Sequence, residues 1–241
     1  MNILIMMAGN SDEFSKSGLN YPKLLTEVNN STMIELVINS LSEVVTEANN
    51  VVFIIKKDDD EKYFLGDVIK LLVPYARIVL VERETAGAAT TALMAIECID
   101  KNLPILLVNG DQIIDCSHSE VVNYFIQKDA DAGVITFESI HPRWSYVSVN
   151  NGFVVEAAEK RPISRYATAG FYYYKKTKDF IECAKRMILK DGHVDGVFYI
   201  CPVFNEMILE QKKISIFEID SSRYHSLMST EKIRQFEKSV N

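Results

Sequence analysis

Few of the 241 residues have both the chemistry and the local setting for a reaction, and most of those stand at the ends of apolar runs. Gly110-Asp111 closes the run Ile105-Leu106-Leu107-Val108-Asn109. A carboxylate there is a hard oxygen donor, suited to Mg²⁺ that bridges phosphates. The same Asp serves equally well as a turn or helix-capping residue. Asp115, four residues on, suits a cap on the next helix. Lys23 follows Pro22 at the end of the first polar stretch. A lysine held by a proline can lie across phosphates as a point charge, or it can be an ordinary solvated side chain. Glu159-Lys160-Arg161-Pro162 is a second charged cluster, which locally reads as an exposed turn. Glu84-Thr85-Ala86-Gly87 precedes a helix of small residues, where glycine permits close backbone approach to a base or simply starts the helix. Trp144, Tyr146 and Tyr172-Tyr173-Tyr174 could stack a ring, although aromatics in strands more often pack a core.

The elements that must position these residues follow from periodicity. Asn2 to Met7 is a short apolar run leading through Ala8-Gly9-Asn10 into a polar loop, as the first strand of an α/β sheet does. Val51–Ile55, Ile78–Val81 and Ile105–Val108 continue the strands. Thr32 with Glu35 forms a capping box before a helix carrying Met33, Leu36, Val37, Leu41 and Val44. A helix over about 59–71 and an alanine-rich one from Thr85 to about Ile99 fill the gaps. The alternation predicts right-handed crossovers and a mostly parallel sheet, whose ligands bind beyond the carboxyl ends of its strands. After Asp111 the rhythm changes. A helix near 119–127, a strand over 132–137, two strands about Asn150-Asn151-Gly152 and an aromatic strand over 167–174 come first. Helices over 177–190 and from Pro202, a strand over 214–217 and a charged helical tail from Thr230 follow.

Composition bounds the function. A chain with 48% hydrophobic residues can bury a sizeable core, and one domain over 1–241 is the expectation. Within it, the change of rhythm after Asp111 divides the chain into halves of about 1–115 and 116–241. The net charge of −7 argues against nucleic acid as a partner. Cys98, Cys116, Cys183 and Cys201 lack C-x-x-C spacing, and the four histidines lack ligand spacing. No apolar run suits a membrane span or a signal peptide, so a cytoplasmic protein, a possible homo-oligomer, is expected.

Taken in order, Ala8-Gly9, Pro22-Lys23-Leu24-Leu25, Thr32-Met33-Ile34, Gly87, Gly110-Asp111, Glu159-Lys160 and Thr168-Ala169-Gly170 resemble the sugar-phosphate nucleotidylyltransferases, the nucleoside-diphosphate-sugar pyrophosphorylases. The likeness runs from Met1 to about Glu231 and is nearest to the short bacterial members of capsule and surface-polysaccharide synthesis. It implies a glycosyltransferase-A-like, Rossmann-like three-layer α/β sandwich with a mostly parallel mixed central sheet. It also implies transfer of a nucleoside monophosphate from a nucleoside triphosphate, with a pyrimidine preferred, to a phosphorylated sugar or similar small acceptor, with release of pyrophosphate. In that reading Lys23 steadies the triphosphate and Asp111 binds Mg²⁺. Ala8, Gly9, Asn10, Gly87 and Gly110 lie along the nucleotide, and Glu159, Lys160 and Gly170 face the acceptor.

Two departures from the family pattern stand out. Gly9-Asn10-Ser11-Asp12-Glu13 replaces the expected Gly-x-Gly-x-Arg, so Glu13 holds the arginine position. A carboxylate beside a triphosphate is repulsive. Glu13 is therefore expected to point away, to be offset by Lys16 or Arg143, or to mark a changed reaction. The stretch Tyr224-His225-Ser226-Leu227-Met228-Ser229-Thr230 lacks the second metal-binding Asp of many members, and Asp220 lies too early to replace it. The alternatives are a glycosyltransferase of the same fold class acting on a nucleotide sugar, and a catalytically silent nucleotide-binding relative. An Asp-x-Asp, which would favour the former, is absent, since the sequence reads Asn109-Gly110-Asp111.

Overall fold

A computed structural model describes residues 1–9, 14 and 21–240. Its centre is one mixed sheet. Strands β1 (Asn2–Met6), β4 (Asn50–Lys56), β5 (Arg77–Val81) and β6 (Ile105–Asn109) form a parallel block in the order β6-β1-β4-β5. Between β1 and β4 lie the short hairpin β2 (Glu27–Val28) and β3 (Ser31–Thr32) and helix α1 (Met33–Ser40). The second half adds β8 (Ala132–Glu138), the hairpin β9 (Ser145–Asn150) and β10 (Phe153–Glu159), β11 (Tyr166–Tyr174) and β12 (Ile214–Ile219). β11 runs antiparallel to β6, β8 and β9 and so joins the two halves. A separate ribbon pairs β7 (Gln112–Ile114) with β13 (Tyr224–Ser226). The α/β three-layer expectation, with a mostly parallel mixed sheet, is borne out.

The parallel strands are continuous apolar runs because both faces are covered. Ile3 and Ile5 of β1, Val51, Phe53 and Ile55 of β4, and Leu106 and Val108 of β6 enter one core. That core lies with α1 and with α5 (His118–Gln127). Leu4, Val52, Ile54, Ile105 and Leu107 enter the opposite core with α4 (Ala88–Leu93), α6 (Thr177–Leu189) and α7 (Val203–Leu209). The charged tail forms α8 (Thr230–Val240), which packs Ile233 into the first core.

Three local readings are corrected. The stretch expected as one helix over 59–71 is two, α2 (Lys57–Tyr63) and α3 (Leu65–Leu72). Phe64 between them is left-handed, with φ 55°, and Asp60 accepts a hydrogen bond from the Gly66 N–H at 2.7 Å. The alanine-rich helix does not run to Ile99. It ends at Leu93, and a 3-10 turn takes over Ile96–Cys98. Asp115 does not cap α5; Ser117 does, accepting from the Glu120 N–H at 3.2 Å. The Thr32–Glu35 capping box is present, with the Thr32 N–H donating to Glu35 Oε2 at 2.6 Å.

Candidate active site

β1 and β6 end side by side, and the Gly110 N–H donates to the Met6 carbonyl at 2.9 Å, extending their ladder by one rung. Asp111 therefore emerges just past the buried edge of the sheet, as expected of ligand-binding loops in open α/β sheets. Its carbonyl accepts from the Leu227 N–H at 2.8 Å, so the segment after β13 fixes the backbone of this turn. A β-carbon on Gly110 would lie 2.3 Å from Met7 Cγ, which requires the glycine at this crossing.

Lys23 reaches the same point from the other side. Pro22 sits at φ −60°, and a 3-10 turn over Lys23–Leu25 drops Leu24 into the core. The hairpin β2–β3 and the bond from the Met33 N–H to the Thr26 carbonyl, 2.9 Å, tie this turn to α1. Lys23 Nζ lies 3.0 Å from Asp111 Oδ2, with only 6% of the lysine side chain exposed. A nearly buried ammonium held by one carboxylate is a placed charge and not a solvated lysine. A β-carbon on Gly9 would lie 3.2 Å from Lys23 Nζ, so Gly9 packs against the lysine end of the pair.

Around this pair lies a cleft of about 670 Å³. Met6 to Gly9, Asn109 to Asp111, the segment 81–85, Gly87 and Tyr199 line it. Of the nucleotide residues named from sequence, Ala8, Gly9, Lys23, Gly87, Gly110 and Asp111 all line it. Asn10 lies outside the described residues, as do Glu13 and Lys16. Arg143, offered as an offset for Glu13, lines a different pocket, between the segment before β9 and α8.

Gly87 has φ 123°, where glycine alone is unstrained. A β-carbon there would lie 2.5 Å from the Phe198 carbonyl oxygen. The Phe198 backbone bonds to Ala86 and Ala89 on either side, at 2.7 and 3.0 Å. Gly87 thus lets the 85–91 turn close against the 197–199 segment and complete the cleft wall.

Lys160, Arg161 and Pro162 form the exposed turn that local sequence suggests, but Glu159 does not belong to it. Glu159 ends β10, is 8% exposed, and accepts a hydrogen bond from the Ser145 hydroxyl. Burial raises its pKa above the ordinary value, against the pull of Ser145 and Lys160. Lys160 is left-handed, with φ 53°, and its N–H donates to the Trp144 carbonyl at 3.0 Å. This turn carries its ammonium to 5.4 Å from the centroid of Tyr199. The hydrogen bond to Tyr199 is the main reason its pKa lies above the ordinary value.

Gly170 sits inside the register shift of β11 between Thr168 and Tyr172, where ladder partners are lost. Gln112 replaces them: its Nε2 donates to the Gly170 carbonyl at 2.8 Å, and its Oε1 accepts the Gly170 N–H at 3.0 Å. A β-carbon on Gly170 would lie 2.2 Å from Asn109 Nδ2, in the residue that lines the cleft beside Gly110.

Gln112, Ser145 and Tyr199 hold the site together and escaped the sequence reading. Their only sequence cue is adjacency, Gln112 to Asp111 and Ser145 to Trp144; Tyr199 has none. Tyr146 and Tyr172–Tyr174, considered as ring-stacking residues, are buried in the core. Asp220 is exposed and caps a 3-10 turn through Ser222, away from the cleft.

Among the described residues the cleft lining carries Lys23, Lys56 and Arg83 against Asp58, Glu82, Glu84 and Asp111, three cations against four carboxylates. Such a lining cannot by itself neutralise a polyphosphate. No cluster of three or more His, Cys, Asp or Glu residues able to hold a metal occurs among the described residues. No described helix is long and apolar enough to cross a membrane.

Comparison with known proteins agrees with this geometry. The chain aligns with a nucleoside-diphosphate-sugar pyrophosphorylase from Vibrio cholerae RC9 at 23% identity, over 98% of this chain and 99% of that one, with a TM-score of 0.85. It aligns with a structure named for glucose-1-phosphate thymidylyltransferase from Bacillus anthracis at 19% identity, over 99% and 94%, with a TM-score of 0.77. At these identities the likeness is one of fold. No curated protein sequence matches this one. Residues 12–193, three quarters of the chain, match the family model described as nucleotidyl transferase. With three quarters of the chain matched, Lys23, Gly87 and Gly110-Asp111 among it, the chain belongs to the nucleotidyl transferase family.

Proposed function

We propose that the protein transfers a nucleoside monophosphate from a nucleoside triphosphate to a phosphorylated sugar or similar small acceptor and releases pyrophosphate. The observation that carries this reading is the Lys23–Asp111 pair on the floor of the cleft, 3.0 Å apart, where β1 and β6 end. A pyrimidine base and a role in surface-polysaccharide synthesis belong to the same proposal, on the sequence resemblance alone.

The residues fit a magnesium ion that arrives with substrate better than one held in a protein cage. Mg²⁺ is commonly bound by one or two carboxylates plus substrate phosphates. Asp111 offers one, and the excess of carboxylates along the cleft calls for added positive charge before a triphosphate can enter. When bound, the ion would neutralise phosphate oxygens. Asp111 would hold it, and Lys23 would turn from the carboxylate toward the triphosphate.

An acceptor phosphate oxygen attacks the α-phosphorus, a new P–O bond forms, and the bond to pyrophosphate breaks. The nucleophile is already anionic, so positioning and charge neutralisation replace a general base. Lys160 would meet the acceptor phosphate, with Tyr199 positioning it. Glu159, buried and hydrogen-bonded, would face the acceptor hydroxyls.

The test is to mix protein and Mg²⁺ with a panel of nucleoside triphosphates and sugar phosphates and to measure pyrophosphate. Pyrophosphate that depends on both substrates and on Mg²⁺ is the expected result. Release of nucleoside diphosphate from a nucleotide sugar would replace this reading with a glycosyltransferase. Silence with every pair, alongside nucleotide binding, would mark a non-catalytic relative.

A further inference from the structure

A second pocket, of about 430 Å³, lies outside the cleft. The end of β8, the segment before β9, β13 and α8 enclose it. Its apolar wall is an aromatic cluster. Phe137 stacks on Tyr224 with centroids 4.5 Å apart, and Trp144 meets both edge-on at 5.4 Å.

The charges on its lining are unequal. Glu138 is paired with Arg165 at 3.3 Å, and His225 lies 3.4 Å from Asp115. Arg143 lies over the Trp144 ring at 4.7 Å and Lys232 bonds to the neutral amide of Gln235 at 2.8 Å. Neither meets a carboxylate within salt-bridge distance among the described residues. Two cations with no carboxylate partner among the described residues therefore face one pocket in a protein of net charge −7.

Hydroxyl donors add to them. Ser139 accepts from the His141 N–H at 3.3 Å and Ser226 from the Met228 N–H at 3.4 Å. A serine that has accepted a backbone N–H keeps its O–H to donate. Cations and O–H donors recognise an oxyanion, and an aromatic wall suits the apolar face of a ring. We propose that this pocket binds a small organic phosphate, its phosphate between Arg143 and Lys232 and its ring against Trp144 and Tyr224. The inference is independent of the reaction proposed for the cleft. The two sites are nonetheless adjacent along one segment: Ser226 lines this pocket, Leu227 bonds to Asp111, and Met228 lines the cleft.

Trp144 is the only tryptophan, so its fluorescence reports on this pocket. The experiment titrates the full chain with glucose 1-phosphate, inorganic phosphate and glucose, and repeats each titration with Lys232→Gln and with Lys160→Ala. The expected result is a saturable change with glucose 1-phosphate, binding about tenfold tighter than inorganic phosphate and weakened about tenfold or more in Lys232→Gln. Lys160→Ala, which removes the cation assigned to the acceptor phosphate in the cleft, should leave it unchanged. A signal abolished by Lys160→Ala but retained in Lys232→Gln would place the ligand in the cleft and overturn the proposal. Equal responses to glucose 1-phosphate and glucose, equal affinity for inorganic phosphate, or no change at millimolar ligand would also overturn it.

Discussion

At the scale of single residues, the site is a matter of charge placed where water is scarce. Asp111 and Lys23 hold each other, and each has a separate task once substrates enter. Asp111→Asn keeps the shape and an acceptor for Lys23 but removes the charge that would hold a cation. It should lower Mg²⁺-dependent pyrophosphate release by about 10²–10³-fold, and lower the urea midpoint as well because the nearly buried Lys23 loses its counter-charge, while the folded protein keeps its circular dichroism. A variant of normal turnover would remove Asp111 from the chemistry.

Lys160 makes a second case. Lys160→Ala should raise the acceptor KM by roughly 10- to 100-fold and leave nucleotide affinity nearly unchanged. Tyr199 acts through it. The hydrogen bond raises the Lys160 pKa, so Tyr199→Phe lowers it, and the alkaline loss of acceptor binding should begin at lower pH. A merely structural Tyr199 would leave that limb of the pH profile in place.

At the scale of elements, the β11 bulge and the start of α5 show how short segments set geometry. Gly170→Ala would drive a β-carbon into Asn109, and overpacking of this kind costs about 1–3 kcal/mol. Asn109→Ala removes the two nearest atoms but leaves its own β-carbon 2.7 Å away, so the double variant should recover only part of the loss in denaturation. Full recovery would mean the backbone had shifted.

The start of α5 is held by Glu43, which accepts from the Ser119 N–H at 3.0 Å and from the Ser117 and Ser119 hydroxyls at 2.7 and 2.8 Å. These bonds, the Ser119 N–H foremost, pull its pKa down to about 2 from an ordinary 4.5. A depressed carboxylate contributes stability above its unfolded pKa and loses it as pH falls toward the folded value. The difference in urea midpoint between wild type and Glu43→Gln should therefore be full at pH 7 and shrink between about pH 4.5 and 2. A constant difference would detach this contact from acid sensitivity.

At the scale of the whole molecule, Asn2 is a junction. Its fully buried amide donates to the Asp100 carbonyl at 2.7 Å and to Thr177 Oγ1 at 2.9 Å. It accepts from Asn50 Nδ2 at 2.9 Å and from the Asp100 N–H at 3.1 Å. The first strand, its neighbour β4 and the start of α6 are thus joined at the end of the sheet opposite the cleft. Asn2→Ala would strand several buried polar groups, each costing about 1–3 kcal/mol less whatever relaxation recovers, so a loss of about 3 kcal/mol in unfolding free energy is expected. Turnover of the folded fraction should be unchanged, which activity corrected for the folded population would check. The sequence by itself determined the layered fold, because continuous apolar strands alternating with amphipathic helices have few other ways to cover both faces. It also placed Lys23, Gly87 and Gly110-Asp111 at strand or loop ends, where backbone geometry confines them. Only the tertiary structure decided that Glu159 is buried, that Gln112 completes the β11 bulge and that Tyr199 meets Lys160. Each of these depends on contacts between residues 14 to 58 positions apart, and local composition carries no record of which distant side chain will close a bulge or cover a carboxylate.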